Sequence, residues 1–508
     1  MKPSTNEKIG QLISQVRQEK GFTQAEFARR LGTSQSAVNR MEHGHQNLSL
    51  EILGRISDVL NKSLISVSGS SVSLRVEGGH ELRGSIEVKT SKNAAVGLLA
   101  ASLLNQGTTK LKKVPKIEEV DRIIEVLESM GVKVKWYPNH DLDIKPPARL
   151  NLDKINADSA KKTRSVLMLI GPMMHLFNEF KLPYAGGCKL GERTVRPHLY
   201  ALEELGVDIK ATDGYYRINV KKHPARQPIV LYESGDTVTE NILFAAARFE
   251  EETVIRMASA NYQVQDICLF LKKLGVKIEG IGTTNLTVRG VKHIKKNVSF
   301  SPSEDPVEAM TFIAAAVVTN SELTITRAPI EFLELELLKL RKMGLRVDVI
   351  NSYPAENGYT KLVDLKIHKH NGHLHALEEK IHPNPYPGLN IDNLPYFVPI
   401  AAVANGRTLI HDWVYDGRAI HYTELAKLGA NISLADPHRV YIDGPTKFSA
   451  ADITAPPALR PAVLVLLGML AADGISVLRN VYTINRGYED LAERLDAVGA
   501  HITVLHDI

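Results

Sequence analysis

From Leu74 onward two hydrophobic periods take turns along the chain. Apolar residues first recur every three or four positions and then alternate singly with polar ones, and the switch looks nearly the same each time. It reads LESMGVKVKW, LEELGVDIKA, LKKLGVKIEG, LRKMGLRVDV, LAKLGANISL and LDAVGAHITV. The first period predicts an amphipathic helix, the glycine a left-handed cap that ends it, and the second period a strand with one buried face. The glycines are Gly131, Gly206, Gly275, Gly344, Gly429 and Gly499, at successive spacings of 75, 69, 69, 85 and 70 residues, so the chain carries an internal six-fold repeat. Further helices are predicted inside the units, as in NAAVGLLAASLL from Asn93 and TENILFAAARF from Thr239. Units of this length exceed most solenoid repeats and predict two compact lobes of three units each.

The segment from Glu7 to Leu64 has no alternation and reads as short amphipathic helices. In TQAEFARRLGTSQSAVNRMEHG, Thr23 and Glu26 have capping-box spacing, which predicts a helix from Gln24 to Leu31 that stops at Gly32. A second helix should follow the Thr33/Ser34 cap. Gln24, Ala28, Gly32 and Val38 then have the spacing of a helix-turn-helix, with a small residue at the crossing and a glycine at the turn. This stretch resembles the Cro and lambda-repressor family of DNA-binding domains. The resemblance implies that the second helix presents Gln35, Ser36, Asn39 and Arg40 to DNA in the major groove. A packing or dimerisation module has the same geometry, and nine Lys/Arg against six Asp/Glu over residues 1–66 is a weak electrostatic footprint. SVSGSSVS, residues 66–73, reads as a flexible tether.

Composition narrows the setting. At 508 residues and 44% apolar, the chain exceeds the size at which a single core keeps growing. A net charge of +5 is mildly basic and does not by itself argue for nucleic acid. Two cysteines allow no disulfide framework, and no Cys/His spacing suggests zinc, so a reducing compartment is expected. The longest apolar run, AVLVLLGMLAA from Ala462 to Ala472, is too short to span a membrane, and the N-terminus lacks a secretory pattern. A cytoplasmic protein without a membrane partner is expected.

The six-fold repeat, with SKNAA near its start, GGCKLGER in its second unit and INRGYEDLAERLDAVGA near its end, resembles the enolpyruvyl transferase family. The resemblance implies an α/β fold in which two lobes are each an inside-out α/β barrel, helices inside and sheets outside. The chain would cross between lobes near Lys92 and near Ser303. The implied organisation is a helix-turn-helix domain at 1–66, a linker at 67–73 and the transferase at 74–508, with lobes of 93–303 and of 74–92 plus 304–508.

The implied reaction moves the enolpyruvyl group of phosphoenolpyruvate onto a hydroxyl of a nucleotide sugar, UDP-N-acetylglucosamine, through a tetrahedral ketal, with no metal or cofactor. Such chemistry needs cations for a phosphate and a carboxylate, a base for the hydroxyl proton and an acid for the methylene carbon. The resemblance assigns phosphoenolpyruvate to Lys92, Arg193, Arg418 and Arg460. It makes Asp392 the base, although an Asx turn or helix cap would equally explain an aspartate in LNIDNLPYF. Cys188 is the implied acid and the residue alkylated by the epoxide antibiotic fosfomycin; a thiol beside Arg193 in a glycine loop should be acidified and reactive. Cys268, among apolar residues of an amphipathic helix, is expected in the core.

The implied acceptor site contains Asn93, Arg164, Gly235, Thr237 and Asp392. Several positions depart from the family there. Leu231 stands where a diphosphate-binding lysine is usual and Arg196 where an aspartate is usual, while Asn261 and Gln263 replace two glutamates. An alternative therefore stays open: a transferase for another hydroxyl acceptor, or a DNA-binding regulator whose enzyme-like lobes sense a ligand.

Overall fold

The computed structural model describes residues 72–185, 195–212 and 214–506, together with 22–46, 48 and positions 10, 13, 14, 17, 18, 52, 55, 56 and 59 of the N-terminal region. Two compact units are present: Met1–Arg75 with Arg479–Tyr482 and Thr503–Ile508, and Val76–Leu478 with Thr483–Ile502.

In the first unit the capping box forms as the spacing predicts. Thr23 Oγ1 accepts from the Glu26 N–H at 3.2 Å, and Glu26 Oε2 accepts from the Thr23 N–H at 2.8 Å. The helix Gln24–Leu31 ends at Gly32, whose φ of 70° is left-handed. Ser34 caps the second helix, Gln35–Glu42. Phe27, Ala28, Leu31, Val38 and Met41 pack with Ile13 and Ile56 into one small core. Beside that core, Glu42 accepts from Arg17 Nε at 2.5 Å and from Gln24 Nε2 at 2.8 Å. The second helix turns Ala37 and Val38 inward and leaves Gln35, Ser36, Asn39 and Arg40 exposed.

In the second unit the repeats become small sheets around buried helices. Every residue of the helix Pro306–Val318 is buried, as are eleven of the thirteen in Leu459–Ala471 and nine of the eleven in Asp236–Ala246. The first two are mostly apolar all round, as interior helices are, while the third also buries Thr239, Glu240 and Asn241. The strands instead bury alternate residues, as in Glu252–Arg256 and Asn285–Arg289, so the sheets lie outside with one wet face. One sheet runs in the order 277–279, 285–289, 252–256, 229–230, and another 298–300, 109–111, 142–145, 133–136. A third runs 347–354, 361–367, 323–329, 85–87, and two three-stranded antiparallel sheets are centred on 215–220 and 439–444. All six repeat glycines are left-handed, with φ between 83° and 105°.

Two local expectations need correction. The helix expected from Thr239 starts at Asp236, because Gly235 already occupies its N-cap. The fifth unit reaches Gly429 through the 3₁₀ segment Arg418–Leu428 rather than through an amphipathic α-helix.

One apolar cluster runs from Ala95 to Phe300. The chain segments at its two ends lie side by side. Ser91 N–H donates to Ser303 O at 2.8 Å and Asp305 N–H to Lys89 O at 2.9 Å.

Candidate active site

Lys92 is the first residue of the helix Lys92–Ala101, where exposed amides also favour anions. Ser91 Oγ caps that helix through the Asn93 N–H at 3.1 Å, and pairs with Tyr262 Oη at 2.9 Å.

Asp392 sits in a turn that another residue makes. Asn390 Oδ1 accepts from the Asp392 N–H at 2.9 Å, while Glu336 Oε1 accepts from the Asn390 N–H and from Asn393 Nδ2. Since Asn390 serves as the local cap, the Asp392 carboxyl faces cations. Arg460 Nη2 donates to its Oδ2 at 3.2 Å, and Arg418 Nη1 lies 3.9 Å from its Oδ1. Burial alone would raise this carboxyl. The charges of Arg460, Arg418 and Lys92 outweigh burial and hold it below the usual aspartate range.

Both arginines are themselves held. Arg460, 7% exposed, donates to Tyr488 Oη at 2.9 Å, and that phenol pairs with Tyr396 Oη and Thr311 Oγ1. Arg418 is 1% exposed and donates from Nη2 to Asp412 Oδ1 at 3.0 Å and to Ile391 O at 2.8 Å; its Nε also donates to Asp412. Arg418 therefore reaches the site as a buried charge behind Asp392, with Nη1 toward the carboxyl.

Two acids and one cation of this cluster escaped the sequence reading. Asp305 caps the helix Pro306–Val318 by accepting from the Val307 N–H at 2.8 Å. Burial pushes its carboxyl up to about 6, against the pull of Arg460. Glu119 accepts from Arg486 Nη2 at 2.7 Å and from Thr163 Oγ1 at 2.5 Å. Burial would raise Glu119, and the charges of Lys92 and Arg486 bring it below its usual value. Arg486 lies within INRGYEDLAER, so its motif was visible although its role was not.

Of the residues expected at the acceptor site, Arg164 and Thr237 lie by a residue the sequence reading missed, His198, while Gly235 is the N-cap of the helix Asp236–Ala246 that carries Thr237. Asn241 Oδ1 accepts from the Gly171 N–H, so its Nδ2 donates to Leu167 O and, at 3.2 Å, to His198 Nδ1. That leaves His198 Nε2–H to donate to Thr237 Oγ1 at 3.4 Å. Burial, reinforced by the charge of Arg164, pushes the imidazole down to about 3, so it is neutral near pH 7.

The departures from the family resolve into specific contacts. Leu231 is 2% exposed, in the apolar core. Asn261 caps the helix Tyr262–Leu274 and donates from Nδ2 to Asp236 Oδ2 at 3.1 Å; Gln263 Nε2 donates to Glu240 Oε1 at 3.1 Å. Each amide thus faces a carboxyl from the neighbouring helix. Burial raises Asp236 and the charge of Asp392 raises it further, while hydrogen bonds from Ser259 and Asn261 oppose this. Arg196 is exposed at the start of the helix Arg196–Glu203. Cys268 is buried as expected, which pushes its thiol up to about 12. Cys188 and Arg193 lie outside the described residues. Among the described residues no helix is long and apolar enough to cross a membrane.

Residues 76–495 match the family model described as EPSP synthase (3-phosphoshikimate 1-carboxyvinyltransferase), and residues 13–66 match a helix-turn-helix model. The chain is 33% identical to a UDP-N-acetylglucosamine 1-carboxyvinyltransferase from Bradyrhizobium diazoefficiens, over 84% of this chain and 96% of that protein. A protein of the same name from Treponema pallidum is 32% identical, over 84% and 98%. Among solved structures, the enolpyruvyl transferase NikO from Streptomyces tendae aligns with a TM-score of 0.73 at 23% identity, covering 87% of this chain and all of that one. An EPSP synthase from Acinetobacter baumannii aligns at 0.66 and 19% identity, over 86% of this chain and all of that one.

Proposed function

Because the chain belongs to the EPSP synthase family of carboxyvinyltransferases, we propose that it transfers the enolpyruvyl group of phosphoenolpyruvate to a hydroxyl of UDP-N-acetylglucosamine. Asp392, held ionised among Arg460, Arg418 and Lys92, is the observation that carries this reading. The carboxylate takes the proton of the acceptor hydroxyl as its oxygen bonds to C2 of phosphoenolpyruvate, and the Cys188 thiol protonates the C3 methylene. In the tetrahedral ketal, C3 then returns a proton to the Cys188 thiolate as the C2–O bond to phosphate breaks, which leaves the enol ether and inorganic phosphate.

Lys92 and Arg460, with Arg193 from the glycine loop, bind the phosphate and carboxylate, and Arg418 supports them from behind Asp392. Asn93, Arg164, Gly235 and Thr237 bind the acceptor. Closure of the two lobes, 93–303 against 74–92 with 304–508, excludes water and strengthens these charges. The continuous core from Ala95 to Phe300 supports that division. Residues 1–66 bind DNA and the protein acts in the cytoplasm; of the linker expected at 67–73, residues 67–71 lie outside the described residues and Val72 and Ser73 instead begin the strand Val72–Gly78.

A phosphate-release assay with phosphoenolpyruvate and UDP-N-acetylglucosamine tests the enzyme. Burial of Leu231 and the placement of Asp236 favour a second reading, a transferase for a less highly charged hydroxyl acceptor. Phosphate release with such an acceptor and none with UDP-N-acetylglucosamine would select it. Tight binding of phosphoenolpyruvate without any turnover would instead favour a ligand-sensing regulator.

A further inference from the structure

Three metal-ligating side chains from the two ends of the second unit meet. Glu77 lies near the end of the strand Val72–Gly78, His80 in the turn after it, and His501 just before the strand Ile502–His506. Each offers one ligating atom, and these atoms all lie within 4.8 Å of one another. The main chain sets this meeting. Glu77 N–H donates to His501 O at 3.1 Å, and Arg83 N–H donates to Val498 O at 2.8 Å. The imidazoles of His80 and His501 stack with centroids 4.0 Å apart and planes 11° from parallel, and His80 Nε2 is 3.6 Å from Glu77 Oε1. His501 holds a φ of 48°, a left-handed conformation uncommon for any residue but glycine.

We propose that Glu77, His80 and His501 form a site for a divalent transition metal of the zinc type. Two imidazoles and one carboxylate are a ligand set that zinc accepts, and the remaining positions would be open to water, since His501 is exposed. Zinc bonds of about 2.0–2.2 Å in a tetrahedron separate ligand atoms by about 3.3 Å. Metal binding therefore requires the three side chains to close from a present spacing of up to 4.8 Å.

The ligands begin one residue after Val76 and end one residue before Ile502, the limits of the unit, so the ion ties its first segment to its last. A cross-link between such distant points acts on a long loop, and an ion bound only by the folded chain stabilises it in proportion to its occupancy. The site is structural, takes no part in enolpyruvyl transfer and holds whatever the acceptor proves to be. No local spacing of Cys and His could announce it, because its two histidines are at positions 80 and 501.

The test uses untagged full-length protein stripped with a chelator and dialysed against Zn²⁺ alone, with bound zinc and melting temperature both measured. The wild type should retain one tight equivalent and melt higher with zinc than without. His80→Ala and His501→Asn should each weaken that equivalent by about tenfold or more, since even groups behind a metal ligand are worth that much, and should lose the zinc-dependent rise. Asn is chosen at 501 because it tolerates the left-handed backbone. Metal-free melting close to wild type shows that a variant is folded; should His501→Asn fail that check, Glu77→Gln replaces it. Zinc retention no better in the wild type than in the folded variants, or no retention at all, overturns the proposal.

Discussion

Asp392 shows how much one side chain depends on who else makes its turn. Its sequence context fits a cap as well as a base, and in the structure Asn390 makes the cap. Asp392→Asn should then lower phosphate release by about 10²-fold or more, the usual worth of a general base, while phosphoenolpyruvate still binds; a loss below about tenfold would remove the base assignment. Asp266 offers a second test through pH. Ser303 donates to it from N–H at 2.8 Å and from Oγ at 2.7 Å, yet burial pushes the carboxyl up to about 7. A carboxyl whose folded value is raised contributes stability that is fully present below about pH 4, its unfolded range, and is lost as pH rises through about 7. Asp266→Asn removes that titration, so the variant should be more resistant to urea than wild type at pH 8 and not at pH 5. Equal midpoint differences at both pH values would refute it. Cys268 was legible as core because helical periodicity reports burial. Asp236, Glu240 and His198 were not, because their partners come from other helices, and no periodicity reports which side chains face each other across a packed interior.

At the scale of elements, the repeat was readable because a left-handed cap needs glycine and leaves it at the same place in every unit. The structure also separates glycines that the pattern treats alike. At Gly275 a Cβ would lie 3.0 Å from Lys296 Nζ, the movable end of a long side chain, so Gly275→Ala should cost only the left-handed backbone, about 1–2 kcal/mol. At Gly206 a Cβ would lie 2.2 Å from the carbonyl oxygen of Lys221, which is main chain and cannot step aside. Gly206→Ala should therefore lower the urea midpoint more than Gly275→Ala, and the reverse order would show that packing at the cap does not matter. The fifth unit misled for a related reason. Arg418 opens its 3₁₀ segment and must deliver a buried guanidinium to Asp412, a tertiary demand that the hydrophobic pattern does not record.

At the scale of the whole molecule, a helix-turn-helix match and a carboxyvinyltransferase match share one chain, and each unit supplies its own test. Thr23, Gly32 and Val38 made the first unit legible, since caps and turns are local. Whether it reads DNA depends on a surface, and there the second helix leaves Gln35, Ser36, Asn39 and Arg40 exposed while Ala37 and Val38 anchor it. If that face docks on DNA, full-length protein should be retained on a preferred sequence, and retention should fall steeply with salt as condensed counterions are released. Arg40→Ala then distinguishes two contacts. Should Arg40 meet a phosphate, the variant binds all sequences more weakly and its log–log salt slope flattens by about 1. Should it meet a base edge, the slope stays and discrimination at that base pair drops by about 1–3 kcal/mol. Phosphate release by the same variant should equal wild type, because Arg40 belongs to the first unit and the transfer chemistry to the second. An Arg40→Ala chain that binds every sequence with unchanged affinity and slope would leave the helix-turn-helix as a packing module alone.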